Sequence, residues 1–190
     1  MAPIPGVVAS SITSSKLVTN SYESIATVTV GSGGASSVSF TSIPSTYTHL
    51  QIRGIARTGR TGQNGDFLKT TFNSDTGTNY SWHLITGEGA STGTAAGSTV
   101  AYMEADRFAS NSTGSNIFGG IVLDILDYAN TNKYKTMRYL GGYDNNGSGE
   151  IQFGSGNWRS TSAITSITLT QSGSYNILQY SHFALYGIKS

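Results

Sequence analysis

From Tyr22 onward, apolar side chains recur at every second position in short runs, and a cluster of Gly, Ser, Thr or Asn cuts each run off. In Tyr22–Val30, Ala26, Val28 and Val30 share one face while Thr27 and Thr29 share the other. A period of two is that of a half-buried strand, and the spacing of a helix is nearly absent. Ser36–Ile43 reads as a second strand after the turn Gly31-Ser32-Gly33-Gly34, which predicts a hairpin, and Pro44 ends it. Thr48–Thr58 reads as a long strand whose phase slips at Gly54, between Ile52 and Ile55, as a β-bulge would produce.

Further strands are expected over Phe67–Asn73, Asn79–Thr86, Asn116–Tyr128, Lys135–Tyr143, Gly149–Trp158, Ala163–Thr170 and Leu178–Ile188. Thr99–Phe108 fits a strand or one helical turn. Gly87–Gly97 is the stretch of lowest complexity and reads as a mobile loop. About 11 short strands at this spacing predict an all-β fold, an antiparallel double-sheet β-sandwich of jelly-roll type. No linker divides the chain, so the expected organisation is one β domain over 21–190 behind an extended arm over 1–20.

Composition supports a folded domain of low chemical reactivity. Gly (24), Ser (28) and Thr (24) fill much of the 190 residues, and only 21 residues are charged. The hydrophobic share is 37%, yet 11 Tyr, 7 Phe and 2 Trp set the chain apart from disordered sequences. A net charge of +1 with no basic stripe argues against nucleic acid as a partner. Without Cys there are no disulfides and no thiol chemistry. No run approaches the ~18 apolar residues of a membrane-spanning helix. The first residues lack the charged and apolar regions of a signal peptide, which points to folding in the cytoplasm of the producing cell. Residues 1–20 carry Ile4, Val7, Val8, Ile12, Leu17 and Val18 without a regular period; they read as a disordered tail or as an arm that docks on a partner.

The motifs that could carry chemistry have simpler readings. Gly89-Ala90-Ser91-Thr92-Gly93 has the spacing of a nucleophile elbow, but no strong strand precedes it and no helix follows it. Asp144 to Glu150 offers alternating oxygens, as a Ca²⁺ loop does, but Asn146-Gly147 is also a strong hairpin-turn signal. Asp124 and Asp127 stand at odd separation, on opposite faces of a regular strand, which spoils an acid/base pair. His49, His83 and His182 fall on three separate strands, and nothing in the sequence brings them together as metal ligands. No catalytic, cofactor or metal residues are therefore expected. Tyr80, Trp82 and Trp158, with Arg57 and Arg60 from a nearby polar loop, form the one combination suited to stacking on a glycan.

Several stretches also resemble a known family: IPGVVASSI (4–12), ESIATVTVGSGGASSVSFTSIPSTYTHLQIRGIARTG (23–59), FNSDTGTNYSWH (72–83), DILDYANTNKYKTMRYLGGYDNNGSGE (124–150), WRSTSAITSITL (158–169) and YSHFALYGIKS (180–190). Together they are similar to small virion structural proteins of tailed bacteriophages of aquatic bacteria, including cyanophage-like genomes. The resemblance implies a non-enzymatic component of the virion, made in the cytoplasm of the host bacterium, with no catalytic motif. Two roles follow as expectations. One is a capsid decoration (cement) protein on the head, held to the major capsid protein and to its own copies, with a homotrimer favoured by capsid threefold points. The other is a tail fibre or receptor-binding tip that recognises host-surface glycans beside tail proteins.

In either role the apolar arm is the expected anchor. Deleting residues 1–20 should leave the β domain folded, by circular dichroism, while abolishing attachment to particles. Saturation of particles by the truncated protein would show that the arm is not the anchor.

Overall fold

The structure is a computed structural model that describes residues 21–189. The expected arm, with Ile4, Val7, Val8, Ile12, Leu17 and Val18, lies outside the described residues. Twelve strands are present among the described residues: β1 (Tyr22–Thr29), β2 (Ser37–Phe40), β3 (His49–Ala56), β4 (Gly65–Phe72), β5 (Tyr80–Gly87), β6 (Thr92–Val100), β7 (Met103–Ala109), β8 (Gly119–Leu126), β9 (Lys135–Asn145), β10 (Ser148–Trp158), β11 (Ile167–Gln171) and β12 (His182–Ile188). They form two antiparallel sheets, one in the order β1-β12-β3-β8-β9-β10-β5-β6 and the other in the order β2-β11-β4-β7. The molecule is thus an all-β, double-sheet sandwich.

Alternation along the strands creates the two layers. In β2, β4, β8 and β11 every second residue is buried, and these residues face the other sheet. Leu50, Ile52, Leu123, Ile125, Met137 and Tyr139 of the larger sheet meet Val38, Phe40, Leu68, Phe72, Met103 and Leu169 of the smaller one in a single hydrophobic core. β7, the edge of the smaller sheet, lies against β9 and β10.

Eight strands pair as a doubled ribbon. β1 pairs with β12, β2 with β11, β3 with β8 and β4 with β7, and successive pairs alternate between the sheets. Two hairpins lie outside this ribbon, β5-β6 and β9-β10, and both extend the larger sheet beyond β8. The β9-β10 turn is Asn146-Gly147, with both residues at positive φ (56° and 87°), as a tight type I′ turn requires.

Three local expectations are corrected. β1 and β2 do not form a hairpin, because each finds a partner near the C-terminus and the turn between them crosses from one sheet to the other. Gly54 is not a bulge, since its register with Phe183 and Ile121 is unbroken. It is glycine because a Cβ there would stand 2.5 Å from the Phe183 ring, and the apparent phase slip is Ile55 turning outward. Gly87–Gly97 is not a loop. Its second half belongs to β6, an edge strand laddered to β5, and only Glu88–Ser91 turns the chain.

Close packing fixes the identity of some residues in β10. A Cβ at Gly154 would lie 2.4 Å from the Tyr139 ring, which fills that space in the core. Gly154→Ala is expected to overpack the core by about 1–3 kcal/mol and to lower the melting temperature by roughly 3–10 °C in calorimetry. Gly33→Ala, where a Cβ meets nothing within 4 Å, should stay within about 0.5 kcal/mol of the parent.

Candidate docking surface on the larger sheet

The inner face of the larger sheet is covered by the smaller sheet. On its outer face, where half-buried strands normally carry polar residues, an apolar patch stands open among the described residues. Register places Val122, Leu140, Phe153 and Ile85 side by side on β8, β9, β10 and β5. The neighbouring row on the same face runs Ile55, Gly120, Gly142, Ile151 and Gly87. Exposure is 51% for Leu140, 54% for Phe153, 51% for Ile85, 59% for Ile151 and 39% for Ile55. Six large apolar side chains on adjacent strands form a contiguous patch rather than scattered surface residues.

The patch has relief. Gly120 and Gly142 floor a trough between Ile55 and Ile151, which stand three strands apart, or about 14 Å at normal strand spacing. A Cβ on Gly120 would meet nothing within 4 Å, so bare backbone faces outward there. Gly142 cannot be replaced without strain: its φ is +148° and a Cβ would lie 2.1 Å from the Glu150 carbonyl oxygen. Beside the trough, Ile151 and Phe153 form a ridge along β10. An open cleft of about 460 Å³ continues between Leu140, Gly142 and Ile151 towards the Asn146-Gly147 turn.

An ordered polar strip borders the patch. The Tyr22 hydroxyl donates to Gln51 Oε1 (2.7 Å), Arg53 Nε donates to the same oxygen (3.0 Å), and Gln51 Nε2 donates to Asp124 Oδ1 (2.8 Å). Tyr22 stacks on Tyr186 with ring centroids 4.8 Å apart, and Arg138 sits opposite Asp124.

The residues suited to a glycan do not converge. Tyr80 and Trp158 are buried and stacked on each other, with centroids 6.2 Å apart, and Phe72 packs against both. Trp158 Nε1 donates to Asp75 Oδ2 (2.7 Å), a bond that holds the Asp75 carboxyl below its ordinary range. Trp82 is half-buried, its ring over Gly97, where a Cβ would come within 2.8 Å. Arg57 and Arg60 lie at the opposite end of the sandwich. Arg57 is buried and donates to Thr113 Oγ1 (3.1 Å) and to the carbonyls of Gly114 (2.8 Å) and Ile117 (2.9 Å), so it clamps the β7–β8 loop. Arg60 pairs with the buried Asp66 (3.1 Å) and donates to Ser172 (2.9 Å).

Other sequence candidates are also occupied structurally. His49 Nδ1 accepts the Asp127 backbone N–H (3.0 Å), while His83 and His182 stay exposed on other strands. Asp127 pairs with Lys133 (2.5 Å), which holds its carboxyl below the ordinary range. Among the described residues no group of three or more His, Asp or Glu is placed to hold a metal ion. Ser91 lies in the short β5-β6 turn. The outer patch itself was legible only as broken alternation: Ile55, Val122, Leu140 and Ile85 each interrupt the polar face of its strand.

No protein-family model, no curated protein and no solved structure matches the chain.

The buried aromatic cluster makes a pH prediction. Burial, the largest cause, pushes the Tyr80 hydroxyl up to about 12, and it accepts from the Phe72 N–H (3.0 Å) and donates to the Asp75 carbonyl (3.1 Å). The unfolded chain ionises this tyrosine near pH 10 while the folded chain keeps its proton, so stability is full below pH 10 and declines as pH rises towards 12. Tyr80→Phe should cost about 1–2 kcal/mol at neutral pH and flatten that alkaline decline, as read by urea unfolding at stepped pH.

Proposed function

We propose that this chain is a non-enzymatic structural protein of a phage virion, seated on the head surface as a decoration (cement) protein. The observation that carries the reading is the contiguous apolar face of Ile55, Val122, Leu140, Ile151, Phe153 and Ile85. A surface of this kind on a sheet marks contact with another protein. The sequence resemblance to virion structural proteins supports the same setting. The partners are then the major capsid protein and further copies of the chain.

The fold suits that role. We read the doubled ribbon as a jelly roll carrying two inserted hairpins, an architecture that viral capsid domains often use. This is analogy at the level of fold, and the apolar face carries more weight. Many ionisable side chains are engaged in structural work: Arg57 holds a loop, Asp75 holds Trp158, and Asp66 holds Arg60. The alternative, a glycan-binding tail tip, called for a groove lined by Trp82 or Trp158, and Trp158 lies in the core.

Antibody-gold labelling of intact virions tests the location. Label spread over the head is the expected result. Label confined to the tail or its fibres would overturn decoration in favour of host recognition.

A further inference from the structure

We propose that the outer face of the larger sheet is a self-association surface, on which a second copy of this chain packs sheet against sheet about a two-fold axis. The inference deepens the structural reading above by naming the surface and the symmetry.

Strand pattern gives the first argument. A strand with one covered face alternates apolar and polar residues, whereas β8 places Gly120, Val122 and Leu126 outward with Asp124 as its one outward polar residue, and β3, β9, β10 and β5 each place large apolar residues outward beside polar ones. Over the two patch rows, rather than along whole strands, that is the pattern of strands covered on both faces. The described residues supply only one layer, the smaller sheet, on the inner side.

Shape gives the second. A two-fold contact uses one patch twice, so the patch must carry both a projection and its complement. Here the ridge of Ile151 and Phe153 on β10 lies next to the trough floored by Gly120 and Gly142 on β8 and β9. An axis running along β9, above Leu140, lays the ridge of each copy over the trough of the other. Gly142 requires glycine for its backbone conformation, and Gly120, where a Cβ would meet nothing within 4 Å, leaves the trough open.

Area and charge give the third. The nine positions of the two rows cover a footprint of roughly 300 Å², and the whole eight-stranded outer face roughly 1,000 Å². A standard interface needs about 800 Å² on each partner, with an apolar centre and a polar rim. The strip of Gln51, Arg53, Asp124 and Arg138 supplies such a rim with both signs of charge. A net charge of +1 leaves little long-range repulsion between copies. Threefold assembly would instead need two different complementary patches, so this face makes pairs.

Sedimentation velocity of the full 190-residue chain, over a roughly hundredfold range of concentration, tests the inference. The parent should sediment as a dimer that dissociates on dilution. Leu140→Glu and Phe153→Glu should each weaken pairing at least about a hundredfold, because they bury an unpaired charge at the centre of the contact. Their side chains are half-exposed in the isolated fold, so circular dichroism and melting temperature should stay near the parent's. Tyr134→Glu, exposed and off the patch, should leave the dimer intact. A parent that remains monomeric overturns the inference, as does any assembly whose mass neither patch variant changes. These results come from the isolated protein, so they are separable from where gold label falls on the virion.

Discussion

The pairing of the first half of the chain with the second is the constraint on which the rest of the structure depends. β12, the last strand, lies between β1 and β3, and without it the larger sheet loses the link that joins its first strand to its centre. A side-chain pair marks the closure: Lys189 Nζ donates to Glu23 Oε1 (3.1 Å) across 166 residues of sequence. The Tyr47 hydroxyl donates to the other oxygen of Glu23 (2.8 Å), so one carboxylate gathers three distant segments and is held below its ordinary range by them. Contacts of such long sequence separation form only after large loops close, which makes this a slow-folding topology.

A chain so rich in Gly, Ser and Thr fills its core partly with aromatic rings and uses buried polar groups to set its loops. Lys135 shows how. It is fully buried, and its ammonium donates to the carbonyls of Asn130 (2.6 Å), Lys133 (2.9 Å) and Thr161 (3.1 Å). Burial, and then the charge of Lys133, push its pKa down. The three bonds repay that burial by fixing the β8–β9 loop against the β10–β11 loop. Arg57 does the same at the other end of the sandwich for 113–117. Arg57, a glycan-binding candidate in the sequence, is thus an anchor for backbone that would otherwise lack partners, as Lys135 is.

Strand positions were legible in the sequence because alternation is a local signal, and so was the Asn146-Gly147 turn, whose backbone demands those residue types. Strand partners were not legible. β1 and β2 look like a hairpin from sequence proximity alone, and only the competing registers of β12 and β11 decide otherwise. The Thr/Gly/Ala composition of β6 hides a strand because an edge strand buries little and needs no apolar face. Tyr80 and Trp158 share the alternation expected of either a groove or a core, and only the opposing Phe72 shows which it is.

Most of the exposed patch stands on the inserted hairpins and little of it on the ribbon. The eight ribbon strands enclose most of the core, yet they contribute only Ile55 and Val122 to the exposed patch. Leu140, Ile151, Phe153 and Ile85 all stand on β9, β10 and β5, strands of the two hairpins that widen the larger sheet. On the inner side these strands pack against β7, whose Met103 fills the space over Gly156. On the outer side nothing among the described residues requires an apolar residue, and a Thr or Lys at each position would satisfy the same strand geometry. Exposed Phe and Ile weaken solubility without improving the fold of a single copy. Their place on the added strands is what the proposed self-association would use.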